Sequence, residues 1–283
     1  MAERPGDRPE APVVSLAEKR HQHVDDPLTA GRELVHVPTT EKAMAPDDDP
    51  RLGDVDEWGR SERMRGLVRR AFDPVYRHYF RAEWEGLEHI PTDGGALLVA
   101  NHAGAVPSDA PVIMHGIETE LERPVYGLAD NFFRKIPVVG TLWSRAGGLP
   151  AHPDNAYRLL NGQGQLVLVF PEGVKGTSKT IANRYKLARF GRGGFVEIAM
   201  RAVAVMGNEE ANPILWRLPG AKMLGVPYLP VTPQSLVLGP LGTLVPLPAK
   251  FKLRVLPPVT FDVPPSQHRY SRTRIMDGSQ EIQ

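Results

Sequence analysis

A chain of 283 residues with 41% hydrophobic and 24% charged residues has enough apolar content for one large core or two small ones. A formal net charge of +1 excludes the global basic field of a nucleic-acid binder, so any anion recognition must be local. Cysteine is absent, which excludes disulfides, thiolate metal sites and a cysteine nucleophile, and fits a reducing compartment.

The opening stretch "MAERPGDRPEAPVV" is charged and proline-rich and carries no apolar h-region, so no signal peptide is expected. No apolar run reaches the roughly eighteen residues of a spanning helix, so none is expected, and any work on lipid would be done from the membrane surface. Residues 1–60 contain "APDDDPRLGDVDEWGR" and little apolar periodicity, which predicts a disordered tail ahead of a domain over 61–283. Over 61–82, Met64, Leu67, Val68, Ala71, Phe72, Val75, Tyr76, Tyr79 and Phe80 recur every three or four residues. This predicts an amphipathic helix, kinked or broken at Pro74. Arg60, Arg63, Arg65, Arg69, Arg70, Arg77 and Arg81 fall on its other face. Such a face suits an anionic membrane surface, and it equally suits a helix packed on its own domain with solvated arginines.

Further on, "ALLVAN" (96–101) and "QLVLVF" (165–170) are continuous apolar runs, as in buried parallel strands. "NAYRLLNGQG" between them reads as a short helix ended by glycine. "GRGGFVEIAMRA" reads as a second helix, and "AVAVMG" as the strand after it. The order predicts an α/β fold with a mostly parallel central sheet flanked by helices. From residue 226 the proline-punctuated stretch ending in "KFKLRVLPPV" reads as loops and edge strands.

Two blocks carry candidate chemistry. In "NHAGAVPSD", His102 follows a strand's carboxyl end, where open α/β sheets place ligands. A carboxylate on one imidazole nitrogen fixes the tautomer and leaves the other nitrogen to take a proton from a hydroxyl. Asp109 supplies that carboxylate if the chain turns at Gly104 and Pro107; otherwise it caps the following helix. In "LVLVFPEGVKGTSK", Pro171 and Gly173 turn the chain sharply and present Glu172 at the same edge, with Lys175 in a loop suited to an anion or simply to solvent. Trp143 and Phe132–Phe133 suit either the lining of an apolar channel or core packing. No histidine has metal-ligand spacing, and no metal is expected.

Together with "GGLPAHPDNAYRLL" and "YKLARFGRGGFVEIAMR", these blocks resemble the glycerolipid acyltransferase superfamily, whose members carry a His…Asp block and a Phe-Pro-Glu-Gly block. The likeness is to a bacterial branch related to monoacylglycerol and diacylglycerol acyltransferases, over roughly residues 62 to 275. The resemblance implies an acyltransferase-like fold and O-acyl transfer to a hydroxyl of a glycerolipid or lysophospholipid. The donor would be acyl-coenzyme A or acyl-carrier protein as co-substrate, with no bound cofactor. It implies His102 as general base and Asp109 as its orienter, with oxyanion donors near Gly104. Glu172 and Gly173 would shape the acceptor site, Lys175 would meet an acceptor phosphate, and Arg145 would also belong to the substrate-binding set. Its further implications are a peripheral place on the cytoplasmic face of the cell membrane, an anionic membrane surface as partner, and no nucleic acid.

The sequence departs from the superfamily in three places. Six residues separate His102 from Asp109 where four are commonest, a spacing shared with the related branch. The arginine that relatives carry between the blocks is missing from "RAGGLPAHPDN", where Arg145 stands upstream and His152 inside. Arg201 leads straight into Ala202–Val205, without the usual Pro-Val element. This last departure motivates an alternative, a membrane- or lipid-binding protein of the same fold without turnover. An acyl-thioester hydrolase is another, because the same pair can activate water.

Overall fold

In the computed structural model, residues 53–106, 108–130, 138–188, 200–218 and 228–258 are described. Most of the expected tail, Pro107, Phe132–Phe133 and the body of the "GRGGFVEIAMRA" helix lie outside them. The chain divides into Met1–Gly53 and Asp54–Gln283, and every element below belongs to the second unit.

A seven-stranded sheet forms the frame. Its strands are β1 (Glu83–Glu85), β2 (Ala96–Ala100), β3 (Val125–Ala129), β4 (Gly148–Pro150), β5 (Leu166–Val169), β6 (Met200–Met206) and β9 (Lys252–Val255), in the order β1-β9-β6-β2-β5-β3-β4. The pairings from β6 through β4 are all parallel, and only β6 with β9 is antiparallel. A separate antiparallel pair joins β7 (Trp216–Leu218) to β8 (Leu229–Val231). The fold is therefore α/β with a mostly parallel sheet, as expected.

β2 and β5 form the centre because both of their faces are covered. All five residues of β2 are buried. Leu97 and Val99 pack with Leu159, Leu160 and Val167 on one side; Leu98 and Ala100 pack with Ile113, Ile117 and Phe251 on the other. This is why the strand reads as an unbroken apolar run rather than an alternating one. Trp143 is partly buried against the core, and its indole occupies the space a Cβ would need at Gly148. It belongs to core packing.

Helix α1 (Glu62–Pro74) starts at Ser61, whose hydroxyl accepts the Met64 N–H at 3.0 Å. It is shorter than the 61–82 expected. The α-helix stops at Pro74, and a π-turn continues it over Val75–Tyr79. Helix α2 (Asp109–Glu120) crosses the sheet from its carboxyl to its amino edge. The remaining helices are α3 (Val139–Arg145), α4 (Pro153–Tyr157), α5 (Val174–Thr177), α6 (Asn208–Ala211) and α7 (Pro233–Leu238). No helix among the described residues is long and apolar enough to cross a membrane.

Four expectations need correction. Arg60 and Arg65 do not lie on a solvated face. Both are buried at the amino edge against the carboxylate of Glu118, which also accepts the Val125 N–H at 3.4 Å. Segment 54–60 is packed rather than tail-like. Trp58 Nε1 donates to Gln163 at 2.6 Å, and Tyr126 Oη donates to Asp56. Met200, Arg201 and Ala202 belong to β6 rather than to the end of a helix. Lastly, the late region is only in part loops and edge strands: β9 lies inside the sheet between β1 and β6, and 233–238 is a helix.

Candidate active site

The carboxyl ends of β2 and β5 lie side by side, with Val99 in register with Val169. Chain leaving β2 is held at once. Asn101 Nδ2 donates to the Val205 carbonyl at 2.8 Å and its Oδ1 accepts the Val205 N–H at 2.7 Å, extending the β2–β6 ladder through a side chain. His102 follows. Its Nδ1 lies 2.8 Å from Asp109 Oδ2, so the chain does fold back across the six-residue gap. Gly104 makes the turn at φ +76°, and a Cβ there would meet the Asn208 carbonyl at 2.7 Å.

Asp109 is the first residue of α2 and is 1% exposed, against 13% for the His102 side chain. It also accepts the Ala103 N–H at 3.2 Å and the Ala110 N–H at 2.9 Å. A carboxylate already accepting these N–H groups is an acceptor towards the ring as well, so Nδ1 donates and Nε2 keeps its lone pair. The imidazole stacks on Phe170, with ring centres 4.2 Å apart and planes at 24°. Two restraints, a hydrogen bond and a stacked ring, therefore fix its orientation.

Glu172 reaches the same loop from β5, but faces inward. Its Oε1 accepts the His102 N–H at 2.9 Å; its Oε2 accepts the Ala188 N–H at 2.7 Å and lies 3.3 Å from Lys179 Nζ. Lys179 bridges at 3.3 Å to Glu209, whose carboxyl burial pushes above the usual carboxylate range against the pull of Lys179. Fully buried, Glu172 holds the His102 backbone. Gly173 turns the chain at φ +53°, with open space where a Cβ would stand. Gly176 on α5 packs directly under His102: a Cβ there would lie 2.7 Å from the His102 carbonyl oxygen and 2.8 Å from its Cβ.

The structure thus brings His102, Asp109, Gly104, Glu172, Gly173 and Lys175 to one edge. Lys175 is exposed and makes no ion pair among the described residues. Arg145 is elsewhere. It ends α3 at the amino edge, where its guanidinium donates to the Gly59 carbonyl at 3.4 Å and its own carbonyl accepts the Ser61 N–H. Among the described residues no cluster of three His, Asp or Glu groups is disposed to hold a metal ion.

Sequence reasoning passed over the roles of Lys179 and Asn208, and it did not foresee that Phe170 and Gly176 pack on His102. The amide of Asn208 donates to the Ala103 carbonyl. Phe170 and Gly176 lie inside the quoted block and were legible as its neighbours. Asn208 comes from a distant turn and left no signal.

A family model described as "Acyltransferase" matches residues 81–233, a span that holds every one of these edge residues. An uncharacterised protein of Mycobacterium tuberculosis is 40% identical over 215 residues, covering 72% of this chain and 60% of its own. One from Mycobacterium leprae is 40% identical over 215 residues, covering 72% and 58%. The chain therefore spans about 60% of the length of the curated relatives it matches. The crystal structure of the 1-acyl-sn-glycerophosphate acyltransferase PlsC from Thermotoga maritima aligns with a TM-score of 0.45 at 19% identity, over 78% of this chain and 79% of that one.

Proposed function

Because the chain belongs to the acyltransferase family, we propose that it transfers an acyl group from a thioester, acyl-coenzyme A or acyl-carrier protein, to a hydroxyl of a glycerolipid-type acceptor. The observation that supports this most is the His102–Asp109 pair, 2.8 Å apart at the carboxyl edge of β2 within the family-matched span. His102 Nε2 takes the hydroxyl proton as the oxygen attacks the thioester carbonyl. Asp109 stabilises the imidazolium that forms. The tetrahedral oxyanion collapses, the carbon–sulfur bond breaks, and the thiolate recovers the proton from Nε2. Products are an ester and a free thiol, with no acyl-enzyme, which suits a chain without cysteine. The Gly104 N–H, which makes no hydrogen bond among the described residues, is the donor we assign to the oxyanion.

Glu172 acts as a positioning residue in this scheme, holding the His102 N–H rather than touching the acceptor. Lys175 is the cation for an acidic acceptor headgroup. The protein works as a peripheral enzyme on the cytoplasmic face of an anionic membrane, with the exposed Arg81, at the far end of the helical segment from Ser61, towards it.

The test is thioester consumption with a panel of lipid acceptors, products identified by mass spectrometry, for wild type and His102→Ala. A loss of about a hundred- to ten-thousand-fold is expected. Equal turnover by both proteins rejects His102 as the base. Fatty acid release that exceeds transfer to every acceptor reassigns the chain to hydrolysis. Lys175→Ala should raise KM for phosphorylated acceptors and leave neutral ones unchanged.

A further inference from the structure

We propose that residues 233–248 form a bilayer-inserting cap that seats the His102 edge of the sheet against the membrane; this rests on the reading of the chain as a lipid acyltransferase. The cap begins where the family-matched span, residues 81–233, ends.

Its polarity is inverted. Helix α7 buries Gln234, whose Nε2 donates to the carbonyls of Ala211 at 3.0 Å and Val245 at 3.2 Å. Thr232 and Thr243 are buried beside it. Outside lie Leu236, Val237 and Leu238 on α7, and Leu241 and Leu244 on the 3₁₀ turn Pro240–Leu244. Val237 is 82% and Leu241 75% exposed. Scattered exposed aliphatics need no explanation, but a contiguous set around a polar interior does. The frame is firmly specified. Thr232 and Ser235 cap the helix reciprocally, Gly239 turns at φ +72°, and the Gln234 carbonyl fills the space where Gly242 would carry a Cβ. No charged residue occurs from Met223 to Ala249.

The chemistry of the surface selects a bilayer over a protein partner. Protein interfaces are anchored by Tyr, Trp and Arg in desolvated pockets. The exposed side chains here are aliphatic, with no hydrogen-bonding group among Leu236, Val237, Leu238, Leu241 and Leu244. A cation stands at the base. Tyr79 Oη donates to the Pro246 carbonyl at 2.7 Å, bringing exposed Arg81, two residues on, beside the cap; Arg81 makes no ion pair among the described residues. Aliphatic tips with a basic group behind them match acyl chains beneath anionic headgroups. The cap is also tied to the site. The Leu247 N–H donates to the Ala211 carbonyl at 2.7 Å, and Ala211 ends the single turn α6, which begins at Asn208 against Gly104. One helical turn, about 6 Å, separates them.

Because the chain has no cysteine, single introduced cysteines report position cleanly. An environment-sensitive dye on Leu241→Cys in the full chain should shift blue on mixing with phosphatidylcholine–phosphatidylglycerol vesicles and be quenched by quencher-bearing lipid. The same dye on Asp93→Cys, exposed in the turn that leads into the amino end of β2, should not respond. Val237→Asp with Leu241→Asp should weaken vesicle binding by about tenfold or more per side chain. Transfer to vesicle-embedded acceptors should fall with it, while turnover of short-chain water-soluble substrates and the circular dichroism melt stay unchanged. An unshifted Leu241 dye on protein that sediments with vesicles overturns the cap. So does a shift without vesicles that tracks a concentration-dependent dimer in light scattering, since a second copy then covers the surface. A vesicle-dependent shift in a protein that acylates no acceptor keeps the cap and rejects the transferase reading.

Discussion

Helix α2 carries a buried acid to each edge of the sheet, and the two acids do different work. Asp109, in its first turn, pairs with His102 at the carboxyl edge. Glu118, near its end, pairs with Arg60 and Arg65 at the amino edge. Both are almost fully buried. What separates them is the partner. An imidazole exchanges a proton near neutral pH, whereas a guanidinium does not. The Asp109 pair can therefore cycle through a reaction, and the Glu118 cluster can only hold segment 54–65 against the strands. Position on the helix dipole agrees: the N-terminal acid is favoured as it stands, and the C-terminal one needs two cations to offset it.

Removing each acid separates the roles. Asp109→Asn should lower acyl transfer by roughly a hundred- to ten-thousand-fold while the urea midpoint moves little. Glu118→Gln should do the reverse. Arg65 left buried without its acid, while Arg60 keeps Glu62, costs about 3–5 kcal/mol, read as a lower urea midpoint, with the transfer rate per folded molecule unchanged. If Glu118→Gln lowers the rate of folded enzyme, the amino edge is not merely scaffold.

A glycine on each edge gives a smaller contrast. A methyl at Gly176 would press on His102, so Gly176→Ala should cost on the order of a hundredfold in kcat through misplacement of the base. A methyl at Gly147 would meet the Val125 carbonyl at 3.0 Å, with Arg60 Cδ at 3.2 Å and φ +95°. Gly147→Ala should therefore lower stability by about 1–2 kcal/mol and leave kcat alone.

The mildest test uses His115, the histidine of α2. Burial against Phe72 and Tyr76 pushes the His115 imidazole below its ordinary value, although its hydrogen bond to Asp73 pulls the other way. The unfolded chain then binds the extra proton first. His115 adds no penalty above about pH 6.5, and stability is lost as the pH falls from there towards its folded pKa. His115→Gln should flatten that part of the stability curve in calorimetric melts.

The sequence disclosed the carboxyl edge better than the amino edge, for physical reasons. β2 and β5 are buried on both faces, so their apolar runs are unambiguous, and the punctuation by Gly104, Pro171 and Gly173 marks the turns. Arg60 and Arg65 sit in a helical pattern that cannot reveal Glu118, more than fifty residues later, as their partner. Met200–Ala202 joins the apolar, helix-like FVEIAM stretch to the AVAVM run, and so short a junction carries no periodicity to separate a strand start from a helix end. Helix α7 hid behind Pro233, which fits the first turn of a helix as well as it fits a loop. Lys179 and Asn208 became visible only through the contacts they make.

The dependence of His102 on Asp109 is tested most directly by a double-mutant cycle on acyl transfer with wild type, His102→Ala, Asp109→Asn and the double variant. If Asp109 acts through the imidazole, Asp109→Asn changes the residual rate of the His102→Ala protein by less than about twofold, as expected of residues working as one unit. A loss in that background as large as in wild type would mean that Asp109 serves the fold or another step, and would contradict the paired base.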